Sequence, residues 1–345
     1  MKVIITGGAG FVGSNAAARY LARGDEVVLL DNLSRQGAVR NWEWLKRVRL
    51  ESERGHLTLA QVDVRDVDGV LLAFQEHADA EVVLHLAAQV AVTTSIVDPR
   101  HDFEVNALGT FNVLEAARTL PRLRALITAS TNKVYGGMED VAVVERNGRY
   151  AYGALPNGVP ETQQLDFHSP YGCSKGAADQ YTVDYARIYD LPTVTFRQSC
   201  IYGPRQMGVE DQGWVAWFCI AIATGKPITI YGDGMQVRDV LYVDDLLDAY
   251  DRAVERIDRV KGQAFNMGGG PQNVLSILET AQYVAQRLNT PLHPKFEAWR
   301  AGDQRVFIAD ISKARRDLDW QPKVGAYKGV DLLIEWVVAN KELFE

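Results

Sequence analysis

Four clusters of residues have the types and spacing to do chemistry. The first is Gly7-Gly8-Ala9-Gly10-Phe11-Val12-Gly13. A G-x-x-G-x-x-G spacing lets a backbone turn tightly and approach a pyrophosphate, and a helix starting there offers free N–H groups and a positive dipole end. Asp31 stands where a second strand should end. A carboxylate there accepts hydrogen bonds from the adenosine ribose hydroxyls and repels a 2′-phosphate, which favours NAD over NADP. Arg35, nearby, would soften that preference. Asp63, in Asp63-Val64-Arg65-Asp66, could meet the adenine amine, while Asp66 suits a helix N-cap. Tyr171 and Lys175 lie one helical turn apart on one face. A phenol ordinarily ionises near pH ~10. An adjacent ammonium and the positive ring of an oxidised cofactor favour the phenolate, which makes Tyr171 a base usable near neutral pH. The last cluster is Ser130-Thr131-Asn132-Lys133-Val134-Tyr135-Gly136, after a strand. Strand C-termini of doubly wound sheets line the ligand crevice, so a hydroxyl there can hydrogen-bond a reacting oxygen.

The elements that must hold these residues follow from the apolar pattern. Short apolar runs at 2–6, 26–31, 57–62, 82–86, 124–129 and 193–197 alternate with helical patterns at 14–23, 67–77, 103–120 and 174–190. Near-continuous apolar strands alternating with helices predict an α/β fold, a doubly wound Rossmann-type parallel sheet buried on both faces, with right-handed crossovers. Residues 136–170 show little periodicity and read as a long loop or insertion. Beyond 197 the pattern predicts a smaller mixed α/β C-terminal lobe: a tryptophan-rich helix around Trp214, Trp217 and Phe218, strands at 228–231 and 264–267, and helices near 244–256, 274–288 and 330–340. The expected domains are 1–197 with parts of 235–265, and the remainder of 198–345, interleaved. Trp42, Trp44, Trp214 and Trp217 read as packing residues.

Composition limits the function. The 345 residues are 47% hydrophobic and 23% charged, an ordinary globular mix. The net charge of −7 argues against nucleic acid as the main partner. The three cysteines, Cys173, Cys200 and Cys219, include no C-x-x-C pair, and the six histidines show no ligand spacing, so no metal site is expected. A lone histidine such as His85 at a strand end reads as a hydrogen-bonded core residue. No signal-peptide segment and no apolar run of ~20 residues is found, so a soluble cytoplasmic protein without a membrane partner is expected.

Taken together, the motifs resemble the extended short-chain dehydrogenase/reductase family, the nucleotide-sugar epimerases and dehydratases. The likeness runs along essentially the whole chain. It includes Thr6 to Gly13, Asp31-Asn32-Leu33-Ser34-Arg35, His85-Leu86-Ala87-Ala88-Gln89, Asn106-x-x-Gly109-Thr110, Tyr171-x-x-x-Lys175, Arg197 to Pro204 and Val237-Arg238-Asp239-Val240. Three stretches (130–136, 164–181 and 211–215) are more similar to the branch that epimerises carbon 2 of CDP-linked sugars in lipopolysaccharide O-antigen biosynthesis than to the 4-epimerases.

The resemblance implies NAD as cofactor and a nucleotide sugar, a CDP-sugar in preference, as substrate. It implies Thr131, Tyr171 and Lys175 as the catalytic set, with Lys175 on the nicotinamide ribose. Gly7, Gly10, Phe11, Val12, Gly13, Asp31, Asn32, Ser34, Arg35, Asp63, Val64, Leu86, Ala87, Ala88, Gln89, Asn106, Ser130 and Gln198 would form the cofactor site. Asn132, Cys200, Gln212, Thr229, Tyr231, Arg238, Arg300 and Arg305 would join Thr131 on the substrate, the arginines on its diphosphate. Many family members have Asn where Cys200 stands, and the segment before Tyr171 is longer than in 4-epimerases. Dehydratases of the family carry an acidic pair after the catalytic hydroxyl, and Asn132-Lys133 replaces it here. That leaves transient oxidation and re-reduction of one sugar carbon as the implied reaction. A 4-epimerase, a net reductase, or a non-catalytic NAD sensor are the alternatives. Helices near 103–120 and 174–190 commonly pair in this family, so a homodimer or homotetramer is expected.

Overall fold

A computed structural model describes residues 1–52, 55–300 and 303–344. The chain divides into two compact units. The first comprises residues 1–131, 169–197 and 247–265, the second residues 132–168, 198–246 and 266–345.

The first unit is built on a seven-stranded sheet. Its strands are β1 (Lys2–Thr6), β2 (Glu26–Leu30), β3 (His56–Ala60), β4 (Val82–His85), β5 (Ala125–Thr131), β6 (Thr193–Gln198) and β7 (Gln263–Met267), in spatial order β7-β6-β5-β4-β1-β2-β3. The register runs parallel from β3 through β2, β1 and β4 to β5. All four residues of β4 and the last four of β1 and β2 are buried, because helices cover both faces and leave no polar side to alternate with. The order 3-2-1-4-5 puts a switch point at β1 and β4, whose C-terminal ends carry Thr6 and His85. On one face Ile4, Val28, Val83 and Leu126 pack with Val70 and Phe74 of α3 (Val67–Glu76) and Val113 and Leu114 of α4 (Gly109–Ala117). Helix α1 (Phe11–Ala22) carries Arg19 and leads into Arg23, and both pair with acids of α6 (Val243–Glu255): Arg19 with Asp248, Arg23 with Asp251. Helix α2 (Ala38–Glu51) was not visible in the sequence pattern; only Ala38, Asn41 and Leu45 are buried on it.

The helix expected over 103–120 is interrupted. A turn of helix, Pro99–Phe103, passes into a π-helical turn at Glu104–Leu108 before α4 begins. The Thr110 hydroxyl donates to the Asn106 carbonyl at 2.6 Å, and Gly109 lies where a Cβ would meet Val64 at 2.7 Å. The bulge turns Asn106 inward, as such bulges often do at functional sites.

The second unit holds more structure than the sequence suggested. The expected loop 136–170 contains a two-stranded antiparallel hairpin, Val143–Arg146 with Arg149–Tyr152. Its turn residues Asn147 and Gly148 both have positive φ, 53° and 72°, which suits a two-residue turn matching strand twist. The strand Val237–Tyr242, absent from the sequence expectation, pairs with Cys200–Tyr202, Val274–Ser276 and Val306–Phe307. Residues 274–276 are therefore strand rather than helix; Ser276 caps the helix Ile277–Arg287 in a reciprocal box with Glu279. The helices Trp214–Ala223, Ile277–Arg287 and Ala326–Ala339 enclose a core that includes Val215, Phe218, Ile222, Val284, Val330 and Leu333. Among the described residues no helix is long and apolar enough to cross a membrane.

Candidate active site

The glycine loop is a tight cradle in the first unit. Gly7 has φ +66°, and a Cβ there would lie 2.7 Å from the Ala87 nitrogen. A Cβ on Gly13 would lie 2.3 Å from the Gly7 carbonyl oxygen. Gly10 caps α1 in extended backbone, so the N–H groups of Phe11, Val12 and Gly13 open the helix. Asp31, just past β2, is buried and accepts from the Ala9 N–H (2.9 Å) and the Leu33 N–H (2.8 Å). Burial raises its pKa; those two N–H groups and the Arg35 charge oppose the rise. A residue that sequence reasoning missed braces the loop: buried Asn41 on α2 donates to the Ala9 carbonyl at 3.1 Å.

The Asp63 carboxylate is engaged within the chain. One carboxylate oxygen accepts from the Arg65 backbone and Nε (2.9 and 3.0 Å), the other from Arg65 Nη2 (2.9 Å) and Asn32 (2.8 Å). These four donors occupy a carboxylate's lone-pair directions. The Arg65 guanidinium holds the Asp63 carboxyl well below the usual range. Asn32 is engaged twice, since its amide oxygen also accepts from the Ser34 N–H and hydroxyl. Val64 is buried, its carbonyl held by Asn112 at 2.9 Å.

The 86–89 segment is fixed by a buried polar relay. Thr6 Oγ1 accepts from the Leu86 and Ala87 N–H groups, both at 3.2 Å. His85 Nδ1 is 2.7 Å from Thr6 Oγ1 and Nε2 is 2.8 Å from Thr110 Oγ1. Thr110 gives its proton to the Asn106 carbonyl and must accept from Nε2–H, and Thr6 therefore donates to Nδ1. Burial pushes the imidazole down to about 3, so it is neutral, as a core histidine should be. Ala88 is half-buried beside this relay. Asn106 clamps the next step: Oδ1 accepts from the Gln89 N–H (2.9 Å), and Nδ2 donates to the Gln89 carbonyl (3.0 Å), Asp102 and Ser174 (both 3.1 Å). Asp102, also missed from sequence, is fully buried and accepts from Gln89 Nε2 (2.7 Å) and the Ser174 hydroxyl (2.5 Å).

Thr131 ends β5, and Tyr171 and Lys175 sit in the first two turns of α5 (Ser169–Tyr189), all three buried. The Thr131 hydroxyl hydrogen-bonds the Tyr171 phenol and favours its ionised form. Burial still wins and pushes Tyr171 up to about 12, with Asp102 adding to the rise and Arg35 opposing it. Activation of Tyr171 by Lys175, expected from their spacing, is not seen in the protein alone. The Lys175 ammonium instead donates to the Ala129 carbonyl at 2.5 Å, and burial pushes it down to about 8. The Ser130 hydroxyl donates to Asp179 (2.7 Å), whose carboxylate pairs with Arg197 (2.9 Å), and so braces β5 against α5.

In the second unit Asn132 and Lys133 open a 3₁₀ turn, Asn132–Tyr135. The Asn132 amide and the Lys133 ammonium both face Gln304 Oε1, at 3.5 and 3.4 Å. Arg238 is buried and donates to the Asp303 carboxylate (2.7 Å) and the Gln304 carbonyl (2.5 Å). Its charge and that of Lys133 act on the Cys200 thiol, which accepts from Trp214 Nε1 at 3.4 Å and is raised by burial. Arg300 stacks over the Tyr231 ring at 3.9 Å and pairs with Asp211 at 2.6 Å. Tyr231 and half-buried Thr229 share the strand Thr229–Tyr231, which pairs with Lys295–Glu297. Arg305 is exposed, and its guanidinium lies over Tyr150 (5.3 Å) and Trp299 (5.8 Å). Gln198 is half-buried at the end of β6, and Gln212 turns back on Val209 just before the helix at Trp214. Gln304 carries no motif of its own; only its neighbours in space mark it.

This geometry is a dinucleotide cradle with a Thr-Tyr-Lys set at the sheet's C-terminal edge, and comparisons agree with it. The family model described as GDP-mannose 4,6 dehydratase matches residues 4–333. The chain belongs to this branch of the extended short-chain dehydrogenase/reductase family, the nucleotide-sugar epimerases and dehydratases. Among particular relatives, it is 46% identical over 341 residues to CDP-paratose 2-epimerase of Salmonella typhi, covering 97% of this chain and 99% of that protein. It is 34% identical over 338 residues to UDP-glucose 4-epimerase of Mycolicibacterium smegmatis, covering 97% and 98%. The UDP-glucose 4-epimerase of Thermus thermophilus, solved in complex with NAD, superposes with TM-score 0.79 at 32% identity, covering 97% and 98%.

Proposed function

We propose that this chain is an NAD-dependent epimerase that inverts carbon 2 of CDP-paratose to give CDP-tyvelose. The observation that carries the reading is the buried Thr131–Tyr171–Lys175 set followed by Asn132-Lys133, where an elimination would need an acidic pair. The chain's own residues fit the dinucleotide: a side chain on Gly7 or Gly13 would fill the cradle, and a buried carboxylate at Asp31 suits ribose hydroxyls and rejects a phosphate. Bound NAD supplies a hydride acceptor that returns the hydride within the same turnover.

Tyr171 takes the proton of the sugar hydroxyl at its phenol oxygen and gives it back when the alcohol re-forms. Thr131 hydrogen-bonds that oxygen and lowers the cost of its charge. Burial outweighs Thr131 and leaves Tyr171 near 12, too high for a base at neutral pH, and the positive charge of a bound oxidised cofactor would favour the phenolate. Lys175 holds the cofactor ribose. Gly10, Phe11, Val12 and Gly13 hold the pyrophosphate, and Leu86, Ala87, Ala88 and Gln89 line the cofactor. Arg238 and Arg300 bind the substrate diphosphate, Tyr231 and Thr229 the base, and Cys200 and Gln212 the sugar end. The first unit is the NAD-binding lobe and the second the nucleotide-sugar lobe.

The enzyme works in the cytoplasm on a precursor of lipopolysaccharide O-antigen, as a homodimer. Phe103, Leu108, Phe111, Tyr181, Ile188 and Tyr189 leave an exposed apolar band along α4, α5 and the π turn for the second copy.

The test is proton NMR of CDP-paratose incubated with purified protein and no added cofactor. Appearance of CDP-tyvelose establishes carbon 2 inversion with a retained cofactor. No conversion, together with interconversion of UDP-glucose and UDP-galactose, moves the assignment to a 4-epimerase.

A further inference from the structure

Lys133 belongs to no catalytic motif, yet the fold holds it beside another cation. Gln304, itself 4% exposed, is the bracket. Its side-chain amide donates to the Gly136 carbonyl at 2.6 Å, pinning the end of the turn that carries Lys133. Its Oε1 faces the Lys133 ammonium, and its backbone carbonyl accepts from Arg238. The charged and titratable groups acting on Lys133 are Arg238, Asp303 and the Cys200 thiol. The Asp239 carboxylate, next along the strand, is turned to the Ser199 hydroxyl (2.5 Å) and the Gly270 N–H (3.1 Å). Asp303 already answers Arg238 at 2.7 Å. Lys133 and Arg238 thus meet on the Gln304 bracket in a poorly solvated cluster, and the Asp303 carboxylate acts on both. Burying like charges together is costly unless an anion joins them. Charge strain of this kind gathers at ligand sites.

We infer that Lys133 is a substrate-binding residue whose ammonium, paired with Arg238, seats the anionic diphosphate of the nucleotide sugar. The inference rests on the nucleotide-sugar reading above. It places a cation in the Asn132-Lys133 pair that stands where dehydratases of the family carry two acids.

The measurement is calorimetric binding of CDP-glucose to the NAD-loaded protein between pH 6.5 and 9.5, a range in which cytidine and a diphosphate diester do not titrate. Lys133 is held near 8 by burial and Arg238, so its charge is present below that pH and lost above it. Wild-type affinity should be level below pH ~8 and fall roughly tenfold above it, the order expected for one charge-assisted contact. Lys133→Arg keeps its charge throughout and should bind with a flatter profile. Any fall that survives in Lys133→Arg reports Lys175, which burial also holds near 8. Lys133→Met should bind roughly tenfold more weakly at pH 7 while retaining NAD and its melting transition. Equal affinity and one pH profile in all three proteins overturn the inference. If Lys133→Met does not fold, the wild-type and Lys133→Arg profiles decide alone. Failure of the wild type to bind either CDP-glucose or UDP-glucose overturns the nucleotide-sugar reading itself.

Discussion

Asp102 offers the sharpest test of how the site is held together. It is a fully buried carboxylate that accepts from Gln89 Nε2, Asn106 Nδ2 and Ser174 Oγ at 2.7, 3.1 and 2.5 Å. Two replacements of similar size separate charge from hydrogen bonding. In Asp102→Asn the amide oxygen can keep facing Gln89 and Asn106. The amide nitrogen then donates to Ser174 Oγ, which turns its proton to the Tyr171 carbonyl, already 3.2 Å away. All three original donors keep an acceptor, and a charged acceptor becomes a neutral one, a loss of about 1–2 kcal/mol that relief of the buried charge partly offsets. In Asp102→Leu three buried donors lose their acceptor at about 1–2 kcal/mol each, which predicts a loss of about 3–6 kcal/mol. The assay is urea denaturation followed by tryptophan fluorescence, with NAD content measured in the same samples. Asp102→Leu should also shed cofactor, because Gln89 and the 86–89 wall lose their anchor. Asp102→Asn should keep cofactor and shift the pH–activity profile to lower pH, because Asp102 raises both Tyr171 and Lys175. Equal stability of the two variants would refute the hydrogen-bond reasoning. An unshifted profile in Asp102→Asn would refute the electrostatic part.

Tyr171→Phe removes the proton acceptor without disturbing packing, so turnover should fall at least ~10²-fold, the usual scale for general acid–base groups, with folding and NAD content unchanged; full turnover would remove Tyr171 from the mechanism. Burial holds Lys133 and Lys175 near 8, below an unfolded lysine's 10.5. Between these values the unfolded chain binds more protons, so stability rises with pH from about 8 until unfolded-state tyrosines ionise near pH ~10 and reverse the trend. Urea titrations at pH 7, 8.5 and 9.5 should show the rise, and Lys175→Met should flatten it. Phe111→Glu puts a charge into the exposed apolar band of the first unit, where Phe111 packs edge-on against Tyr181 at 6.0 Å. Light scattering should then find a monomer where the wild type is a dimer; an unchanged mass would move the interface elsewhere.

Much of the first unit was legible because its signals are local. A β-branched run buried on both faces has one period-independent signature, and glycines at 7 and 13 mark a turn in which a Cβ would meet backbone at 2.7 and 2.3 Å. Helix α2 escaped because three buried residues in fourteen give no apolar stripe. The hairpin at 143–152 escaped although Asn147-Gly148 between valine- and tyrosine-bearing runs is a recognised turn signal; the surrounding glycines and prolines hid its short strands. The capping box of Ser276 and Glu279 was equally readable and would have moved the helix start three residues on from 274.

The sequence by itself determined the chemistry available: a phenol and an ammonium one turn apart, a hydroxyl after a strand, a carboxylate placed for ribose, and an asparagine–lysine pair after that hydroxyl. Only the tertiary structure decided which of those groups are poised and which are occupied. Asp63 and Ser130 have the right identity, but Arg65 and Asp179 claim their hydrogen bonds. Tyr171 and Lys175 share a helical face, but burial acts on each separately and sends one up and the other down. Asp102, Asn41 and Gln304 are ordinary letters that become braces because contacts distant in sequence converge on them. Spacing along a chain fixes what can meet on one element. Burial and long-range hydrogen bonding depend on what the rest of the fold brings to the same place.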